Sequence, residues 1–401
     1  MENLWDDEVS KSYKTDLELR VYTSNLLGQS DELVLHGGGN TSVKTKIDDE
    51  NILFVKGSGW DLVSIKEEGF APVKLDTLID MAKLESLSDS DMVSQQKDAM
   101  IDKTAPNPSV EAILHAIIPF KFVDHTHADA IVTISNSHNG KMHMKQQFPN
   151  FLIVPYVMPG FILAQKIYEM TQWYDWEHCE GIILHNHGIF TFDNDAKKSY
   201  EKMLKAVSHA EQFLDAETYG LEFLFEERDT KKIALDFDVK KLQTLISKEK
   251  GFDTIMKINQ TPLAIVYASS FDLETFATRG VLTPEHIIRT KRIPLVLEKD
   301  DDISEKILEY ITEYTNYFNR FSSNEIMLNP APNYVIVKEF GIIVLGKSEK
   351  EVTIMNDILE HTMLAVLRAD RLGGYESISI EESFKMEYWE LEQNKIKKDE
   401  S

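Results

Sequence analysis

Hydrophobic and polar positions along the chain follow two periodicities, one typical of helices and one typical of strands. The helical period predicts helices over residues 12–30, 72–101 and 160–172, and from 195 to about 217. Apolar runs bounded by glycine or polar turns predict strands in four stretches, ELVLHGGGNTSVKTK, NILFVKGSGWDL, FKFVDHTHADAIVTIS and GIILHNHGIFTF. The first is read as two strands around a glycine turn, and the third as a strand followed by the start of a helix. This mixture predicts a layered α/β or α+β fold.

The character of the sequence changes after about residue 220, where charged stretches separate the helices. We therefore place a domain boundary near 225–230 and divide the chain into domains 1–225 and 226–401. In the second domain, YVIVKEFGIIVLGKSEKEVTIMNDILEH has the plan of GIILHNHGIFTFDNDAKKSYEKMLKAVSHA, with two strands around a glycine and then a long helix. Glu339-Phe340-Gly341 stands where His187-Gly188 stands in the first copy. We expect a second α/β lobe that is a degenerate repeat without metal ligands.

The chain is strongly acidic. Its 43 Lys and Arg residues against 67 Asp and Glu residues give a formal net charge of −24. Because nucleic-acid backbones are bound by clustered Lys and Arg, we expect no nucleic-acid partner. The N-terminus lacks the pattern of a secretory signal, and the apolar run FLIVPYVMPGFILA is broken by prolines and too short to cross a membrane. With its single cysteine, Cys179, the sequence predicts a cytoplasmic protein without a membrane partner.

Three histidines are candidate metal ligands. His125 and His127 are two positions apart in a strand-like stretch, so their imidazoles point to one face. A third imidazole comes from the stretch LHNHG, which contains His185 and His187. Three imidazoles with one open position are the pattern of a catalytic zinc site. Hydrogen-bonded structural histidines are the alternative.

A carboxylate and two glycine turns are further candidates. Ser109 is placed to cap the predicted helix VEAILHAII, with Glu111 in its first turn. An acid beside a metal can serve as a general base. Taken in isolation, Glu111 is better interpreted as a capping residue at the start of a helix. The turns HGGGNTS and KGSG expose backbone N–H groups that suit an anion, and plain tight turns are the alternative. Neither turn fits the Rossmann or the Walker A pattern.

The order of these motifs resembles the class II aldolase/adducin family. That family includes zinc-dependent fuculose-phosphate and rhamnulose-phosphate aldolases and ribulose-phosphate epimerases. The motifs that carry the resemblance are GGGNTSVK, VKGSGWDL, PSVEAILH, DHTHADAI and LHNHG. Three later motifs, TPEHIIRTKRIP, GGYESISIEE and YWELEQNK, resemble the aldolase half of bifunctional rhamnulose-phosphate aldolase/alcohol dehydrogenases. In those proteins a dehydrogenase domain follows, whereas this chain stops and has no glycine fingerprint for NAD, so we expect no dehydrogenase activity and no NAD.

The resemblance implies a layered α/β/α fold and assigns roles to particular residues. It makes His125, His127 and His187 the ligands of Zn²⁺ or another divalent metal, and Glu111 the acid/base. It assigns the substrate phosphate to Gly39, Asn40, Ser58, Gly59 and Ser109. Val110 departs from the pattern, because fuculose-type enzymes have a second serine there, and the loss of that hydroxyl leaves phosphate specificity open. The related epimerases tend to carry Asp in place of Glu111, which favours carbon–carbon bond cleavage here.

The expected function is retro-aldol cleavage of a ketose 1-phosphate, similar to rhamnulose 1-phosphate, into dihydroxyacetone phosphate and a short aldehyde. The alternatives are a sugar-phosphate 4-epimerase or decarboxylase on the same site, and a non-catalytic adducin-like binding module. Family members use a tyrosine, often from a neighbouring subunit, as a second acid/base, so we expect a homo-oligomer. We expect the basic cluster His286, Arg289, Lys291 and Arg292 to pair with acidic residues of a neighbouring helix rather than to grip the substrate.

Overall fold

The computed structural model describes residues 1–221, 237–391 and 393. These residues belong to two compact units. The first comprises Met1–Ser135 and Gly140–Phe213, and the second comprises Asn136–Asn139 and the chain from Leu214 onwards. The predicted boundary near 225–230 lies outside the described residues, as do three residues of the motif YWELEQNK. The division at residue 225 therefore stays a prediction.

The first unit is built on a seven-stranded sheet. Its strands are β1 (Asn40–Ile47), β2 (Glu50–Lys56), β3 (Phe70–Lys74), β4 (Phe122–Thr126), β5 (Phe151–Val154), β6 (Gly181–Leu184) and β7 (Gly188–Asp193). They lie in the order β3-β2-β1-β4-β7-β6-β5, and every pair is antiparallel except β5 with β6. β4 is the central strand, and all five of its residues are buried. The site residues that β4 carries are therefore held between two neighbouring strands.

Helices join these strands in the first unit. The α-helices are Asp7–Ser10, Asp16–Leu27, Leu75–Ala82, Asp89–Asp98, Ala112–Ile117, Asp129–Ser135, Gly140–Gln147, Phe161–Thr171 and Ala196–Glu217. The helix Asp16–Leu27 begins with a capping box, in which Thr15 and Glu18 each accept a hydrogen bond from the other's backbone N–H. Together with the sheet, these helices confirm the predicted mixed α/β fold.

Some predicted elements differ from those observed. Residue 33 ends a turn and residues 34 and 35 lie outside any strand, so the first of the two strands predicted in this stretch is absent. The stretch GIILHNHGIFTF is two antiparallel strands, β6 and β7, rather than one. The predicted helix 72–101 is the end of β3 followed by two helices, with Ser88 capping the second. The helix predicted from Ser109 begins only at Ala112, so Glu111 immediately precedes it.

The second unit contains a four-stranded sheet. Its strands are β8 (Ile255–Asn259), β9 (Leu295–Leu297), β10 (Tyr334–Val337) and β11 (Gly341–Gly346), in the order β8-β11-β10-β9. Its α-helices are Val239–Lys250, Pro262–Ala268, Leu273–Ala277, Ile287–Thr290, Ile303–Phe321, Glu349–Arg371 and Ile380–Glu387. The predicted second α/β region is thus confirmed. Within the ranges that the structure covers, no helix has the length and apolar character needed to cross a bilayer.

The second sheet repeats the arrangement of four strands of the first. The row β8-β11-β10-β9 corresponds to β4-β7-β6-β5, and in both rows only the last pair is parallel. Leu184 pairs with Gly188 across the first hairpin, as Val337 pairs with Gly341 across the second. Long helices, Ala196–Glu217 and Glu349–Arg371, follow the two hairpins. The two units therefore share a topology and a strand register, as expected of a repeat.

Candidate metal centre

His125 and His127 come from the end of β4 and the residue after it. The Nε2 atoms of the two rings lie 3.1 Å apart. His125 is fully buried, and its Nδ1 lies 3.0 Å from the carbonyl oxygen of Ile189 on β7. A carbonyl can only accept, so Nδ1 carries the proton and Nε2 presents a bare lone pair. This is the usual second contact of a metal-ligating histidine.

His187 joins them from the three-residue turn between β6 and β7. The middle residue of that turn, Asn186, has a φ of 59°, which reverses the chain tightly. His125, His127 and His187 each offer a ligand atom, and these atoms lie within 4.8 Å of one another. A tetrahedral zinc holds nitrogen ligands about 3.3 Å apart, so the three imidazoles need only small adjustments to bind one ion. His185 is not a member of this group.

Glu111 directs its carboxylate at the same point. Its Oε2 lies 3.4 Å from Nε2 of His125, and its Oε1 lies 3.9 Å from Nε2 of His187. The side chain is 5% exposed, and Oε1 has no hydrogen-bond partner among the described residues. A buried carboxylate oxygen without a donor is costly unless a cation or proton satisfies it. The arrangement therefore fits a divalent cation bound by the three imidazoles.

Two glycines allow the backbone to approach this centre. Gly39 has a φ of 68°, and a Cβ there would lie 2.7 Å from the carbonyl oxygen of His125. A Cβ on Gly188 would lie 2.4 Å from the carbonyl oxygen of Thr126. Both contacts are shorter than packed atoms tolerate. The glycines in HGGGN and HNHG therefore serve close packing around β4.

The second predicted turn lies beside the segment that contains Ser109. Gly57 pairs with Pro108, and the Ser58 N–H donates to the carbonyl oxygen of Asn107 at 2.9 Å. This pairing places Ser58 and Ser109 on adjacent segments, with Gly59 exposed and open space where a side chain would be. The structure thus brings together three of the five residues assigned to the anion. Their role in binding phosphate stays a prediction.

Asn40 lies apart from the turn that contains Ser58 and contacts Glu111 instead. It starts β1 directly opposite His125, and its side-chain amide donates to Oε2 of Glu111 at 2.6 Å. The other end of the amide contacts Nε2 of His115, a fully buried residue that the sequence analysis did not single out. The sequence did contain a signal for His115. It stands four residues after Glu111, and residues four apart lie on one face of a helix.

The basic cluster predicted to pair with acidic residues lies in the second unit. The Lys291 ammonium donates to the carbonyl oxygen of Asn329 at 2.6 Å and lies 3.7 Å from the ring centre of Tyr314. Burial lowers the pKa of Lys291 to about 8, and the nearby carboxylate of Glu387 acts in the opposite direction. These contacts favour the structural pairing of Lys291 over a substrate-binding role.

Comparisons with known proteins identify the family. The family model described as the class II aldolase and adducin N-terminal domain matches residues 19–214, and the model described as the second domain of class II aldolases matches residues 236–396. The N-terminal class II aldolase domain of a conserved protein from Thermoplasma acidophilum is 37% identical. This chain covers 99% of that domain, which covers 53% of this chain with a TM-score of 0.50. The chain belongs to the class II aldolase and adducin family.

Two further proteins are similar to this chain. An uncharacterized oxidoreductase of Bacillus subtilis, YuxG, is 30% identical over 99% of this chain. The present chain spans only 60% of the length of that relative. A sugar-phosphate aldolase from Thermotoga maritima is 15% identical, covers 51% of this chain and 95% of its own, and has a TM-score of 0.38.

Proposed function

We propose that this class II aldolase family member is a zinc-dependent aldolase that cleaves a ketose 1-phosphate. The observation that carries the proposal is the convergence of three imidazoles with the buried carboxylate of Glu111, whose Oε1 has no hydrogen-bond partner among the described residues. Membership of the class II aldolase family supports this reaction class. Zinc is the favoured metal because three nitrogen ligands with one open position suit it.

His125, His127 and His187 would hold the metal through their ring nitrogens. When bound, the metal acts as a Lewis acid that stabilises the negative charge developing on the ketone fragment during bond cleavage. The hydrogen bond from His125 to the carbonyl of Ile189 keeps that ring in the ligating tautomer. The His125 ligand is thus preorganised for metal binding.

Glu111 would move the proton at the donor carbon. Its carboxylate is close to two of the ligand nitrogens and is buried, so a ketose held by the metal would bring its donor carbon near this carboxylate. When the carbon–carbon bond breaks, the hydroxyl group that becomes the aldehyde releases its proton. A proton passed to the Glu111 carboxylate would then be delivered to the donor carbon, which restores the carboxylate and leaves no net gain or loss of protons. General acid and base groups of this kind contribute roughly 10²- to 10⁴-fold to the rate.

The anionic end of the substrate would bind at the turn that contains Ser58 and Gly59, together with Ser109. These segments offer two hydroxyl groups, and Gly59 leaves open space where a side chain would be, in a chain that is otherwise strongly acidic. The family resemblance also assigns Gly39 and Asn40 to this set, although both ends of the Asn40 amide contact Glu111 and His115. We propose a ketose related to rhamnulose 1-phosphate, with dihydroxyacetone phosphate and a short aldehyde as products, and a homo-oligomeric assembly in the cytoplasm.

Product analysis with the metal-loaded protein tests this function. A panel of ketose 1-phosphates should yield dihydroxyacetone phosphate and an aldehyde, and Glu111→Gln should retain the metal while losing most of the activity. Recovery of an epimer or of carbon dioxide instead would establish one of the other reactions of this site. No metal and no turnover would favour a binding module.

A further inference from the structure

A chain of hydrogen bonds leads from Glu111 into the protein interior. Glu111 accepts from the Asn40 amide, the amide contacts Nε2 of His115, and Nδ1 of His115 lies 2.8 Å from the Ser42 hydroxyl. Asn40 and Ser42 are two residues apart on β1, so one face of that strand contacts both nitrogens of the His115 ring. Glu111 and His115 are four residues apart at the start of the neighbouring helix. The four side chains form a single connected path.

The chemistry of Glu111 sets the direction of every bond in this path. An ionised carboxylate only accepts, so the amide nitrogen of Asn40 must face Glu111. The amide oxygen then faces His115, which must donate from Nε2. With its only proton on Nε2, the neutral ring accepts at Nδ1, and the Ser42 hydroxyl donates to it. One orientation of the amide and one tautomer of the imidazole satisfy all four groups.

The path is buried. His115 and Ser42 are fully buried, and Asn40 is 7% exposed. Burial places the pKa of His115 well below its ordinary value, with the neighbouring His125, Lys44 and Arg20 acting in the same direction, so the ring is neutral at physiological pH. Phe190 packs against it, with ring centres 5.4 Å apart. Water cannot easily replace a lost partner in such a place, and each bond therefore constrains the next.

We propose that His115, acting through Asn40, is a positioning residue that holds the Glu111 carboxylate in its reactive orientation. The proposal rests on the proposed function, in which Glu111 transfers the proton. Without the donor on His115, the buried oxygen of the Asn40 amide loses its partner, and the side chain is no longer held against the helix. The amide nitrogen then no longer fixes the Glu111 carboxylate, which can rotate away from the substrate carbon. Displacements of about 1 Å at a catalytic group reduce rates roughly 10²-fold.

Two substitutions of His115 separate positioning from packing. His115→Gln keeps an N–H donor at about the position of Nε2, whereas His115→Phe keeps the ring volume and removes the donor. We expect His115→Phe to lower kcat roughly 10- to 100-fold with KM within about twofold, and His115→Gln to restore most of kcat. His178→Gln is the matched control, because it makes the same replacement at an exposed histidine and should leave kcat and KM unchanged. Metal content and melting temperature are measured for each variant.

The tautomer of His115 supplies a readout that is independent of turnover. In ¹⁵N spectra of histidine-labelled protein, the signals absent from His115→Gln identify this ring among the 12 histidines. We expect a neutral ring protonated at Nε2 in the wild type, and a changed signal in Asn40→Ala. Asn40→Ala also serves if His115→Phe does not fold, because it should lower kcat in the same way.

The outcomes distinguish this proposal from the proposed function. Full kcat in His115→Phe with active wild-type enzyme would overturn the positioning role and leave the aldolase assignment intact. A wild type that cleaves no ketose 1-phosphate would remove the assignment, and the tautomer would then decide whether the path exists. A ring protonated at Nδ1, or an equal kcat loss in His115→Phe and His115→Gln, would refute the proposal.

Discussion

His187 and Phe340 occupy the same position in two three-residue turns with the same strand register. The turn that contains His187 joins Leu184 to Gly188, and its counterpart joins Val337 to Gly341. The middle residues of the two turns have φ values of 59° and 62°. In the strands beside the two hairpins, the position of His125 is taken by Ile258, since these residues pair with equivalent positions of β7 and β11. The second unit therefore has the backbone of the metal centre without its imidazoles.

A pair of reciprocal substitutions tests this relationship. His187→Phe should remove one of three ligands and reduce bound zinc to well below one per chain, whereas Phe340→His should leave the metal content unchanged. Phe340 belongs to the core of the second unit, so Phe340→His should also lower the free energy of unfolding by about 2–4 kcal/mol. Metal analysis and thermal unfolding measure both effects. Unchanged zinc in His187→Phe would contradict the ligand assignment.

Many of the helices and strands were predicted from the local pattern of hydrophobic and polar residues, because the period of that pattern indicates which side of an element is buried. The helix Ala196–Glu217 and the buried strand β4 lie where the sequence predicted them. The hairpin of β6 and β7 was missed, since the turn HNH has no residue type that demands a reversal. The reversal depends on Asn186, which has a left-handed backbone conformation. Asparagine tolerates this conformation but also occurs in many others, so its presence alone did not predict the turn.

Some residues of the candidate site were also identified from local sequence pattern, and others were not. His125 and His127 were identified from their spacing in a strand, and the selection of His187 over His185 required the family pattern. The Asn40 amide was assigned to the substrate, yet its contacts are with Glu111 and His115, which no spacing rule connects to β1. Such contacts arise only from the packing of β1 against the helix Ala112–Ile117 and its preceding turn.

In the buried ion pair of Arg20 and Asp124, replacing Arg20 alone should destabilise the protein more than replacing both residues. Both side chains are fully buried, and Arg20 also donates to the carbonyl oxygens of Ser42 and Val123. Arg20→Met should cost about 3–5 kcal/mol, because it leaves the Asp124 charge uncompensated. Adding Asp124→Asn should recover part of that loss by removing the charge. Denaturant unfolding measures both variants, and equal stability of the single and double variants would contradict this account.

Lys44 should give the protein a pH-dependent stability above neutrality. Its ammonium donates to the carbonyl oxygens of His115, Ile118 and Phe120 at the end of the helix that follows Glu111. Burial lowers the pKa of Lys44 to about 7, whereas an unfolded lysine titrates near 10.4. Between these values the unfolded state binds more protons, so this residue makes stability rise with pH, by at most about 1.4 kcal/mol per unit.

The control for this effect is Lys44→Met, which removes the titrating group. Its stability, measured by denaturant unfolding from pH 7 to 10, should rise less steeply than that of the wild type. The variant should also be less stable by about 1–3 kcal/mol at pH 7, because buried carbonyl groups lose their donor. Parallel curves for the two proteins would show that the three carbonyls keep the ammonium charged throughout this range.

Val110 should limit the affinity for a phosphorylated substrate. It stands between Ser109 and Glu111, where a serine would add a hydroxyl donor beside the turn that contains Ser58. One additional hydrogen bond is worth about 0.5–1.5 kcal/mol, so Val110→Ser should lower KM for a ketose 1-phosphate roughly two- to tenfold with little change in kcat. Ser109→Ala should raise KM by a similar factor. The same kinetics with the unphosphorylated ketose are the control, because neither substitution should affect them if the hydroxyl groups contact phosphate. Equal shifts for both substrates would place the anion elsewhere.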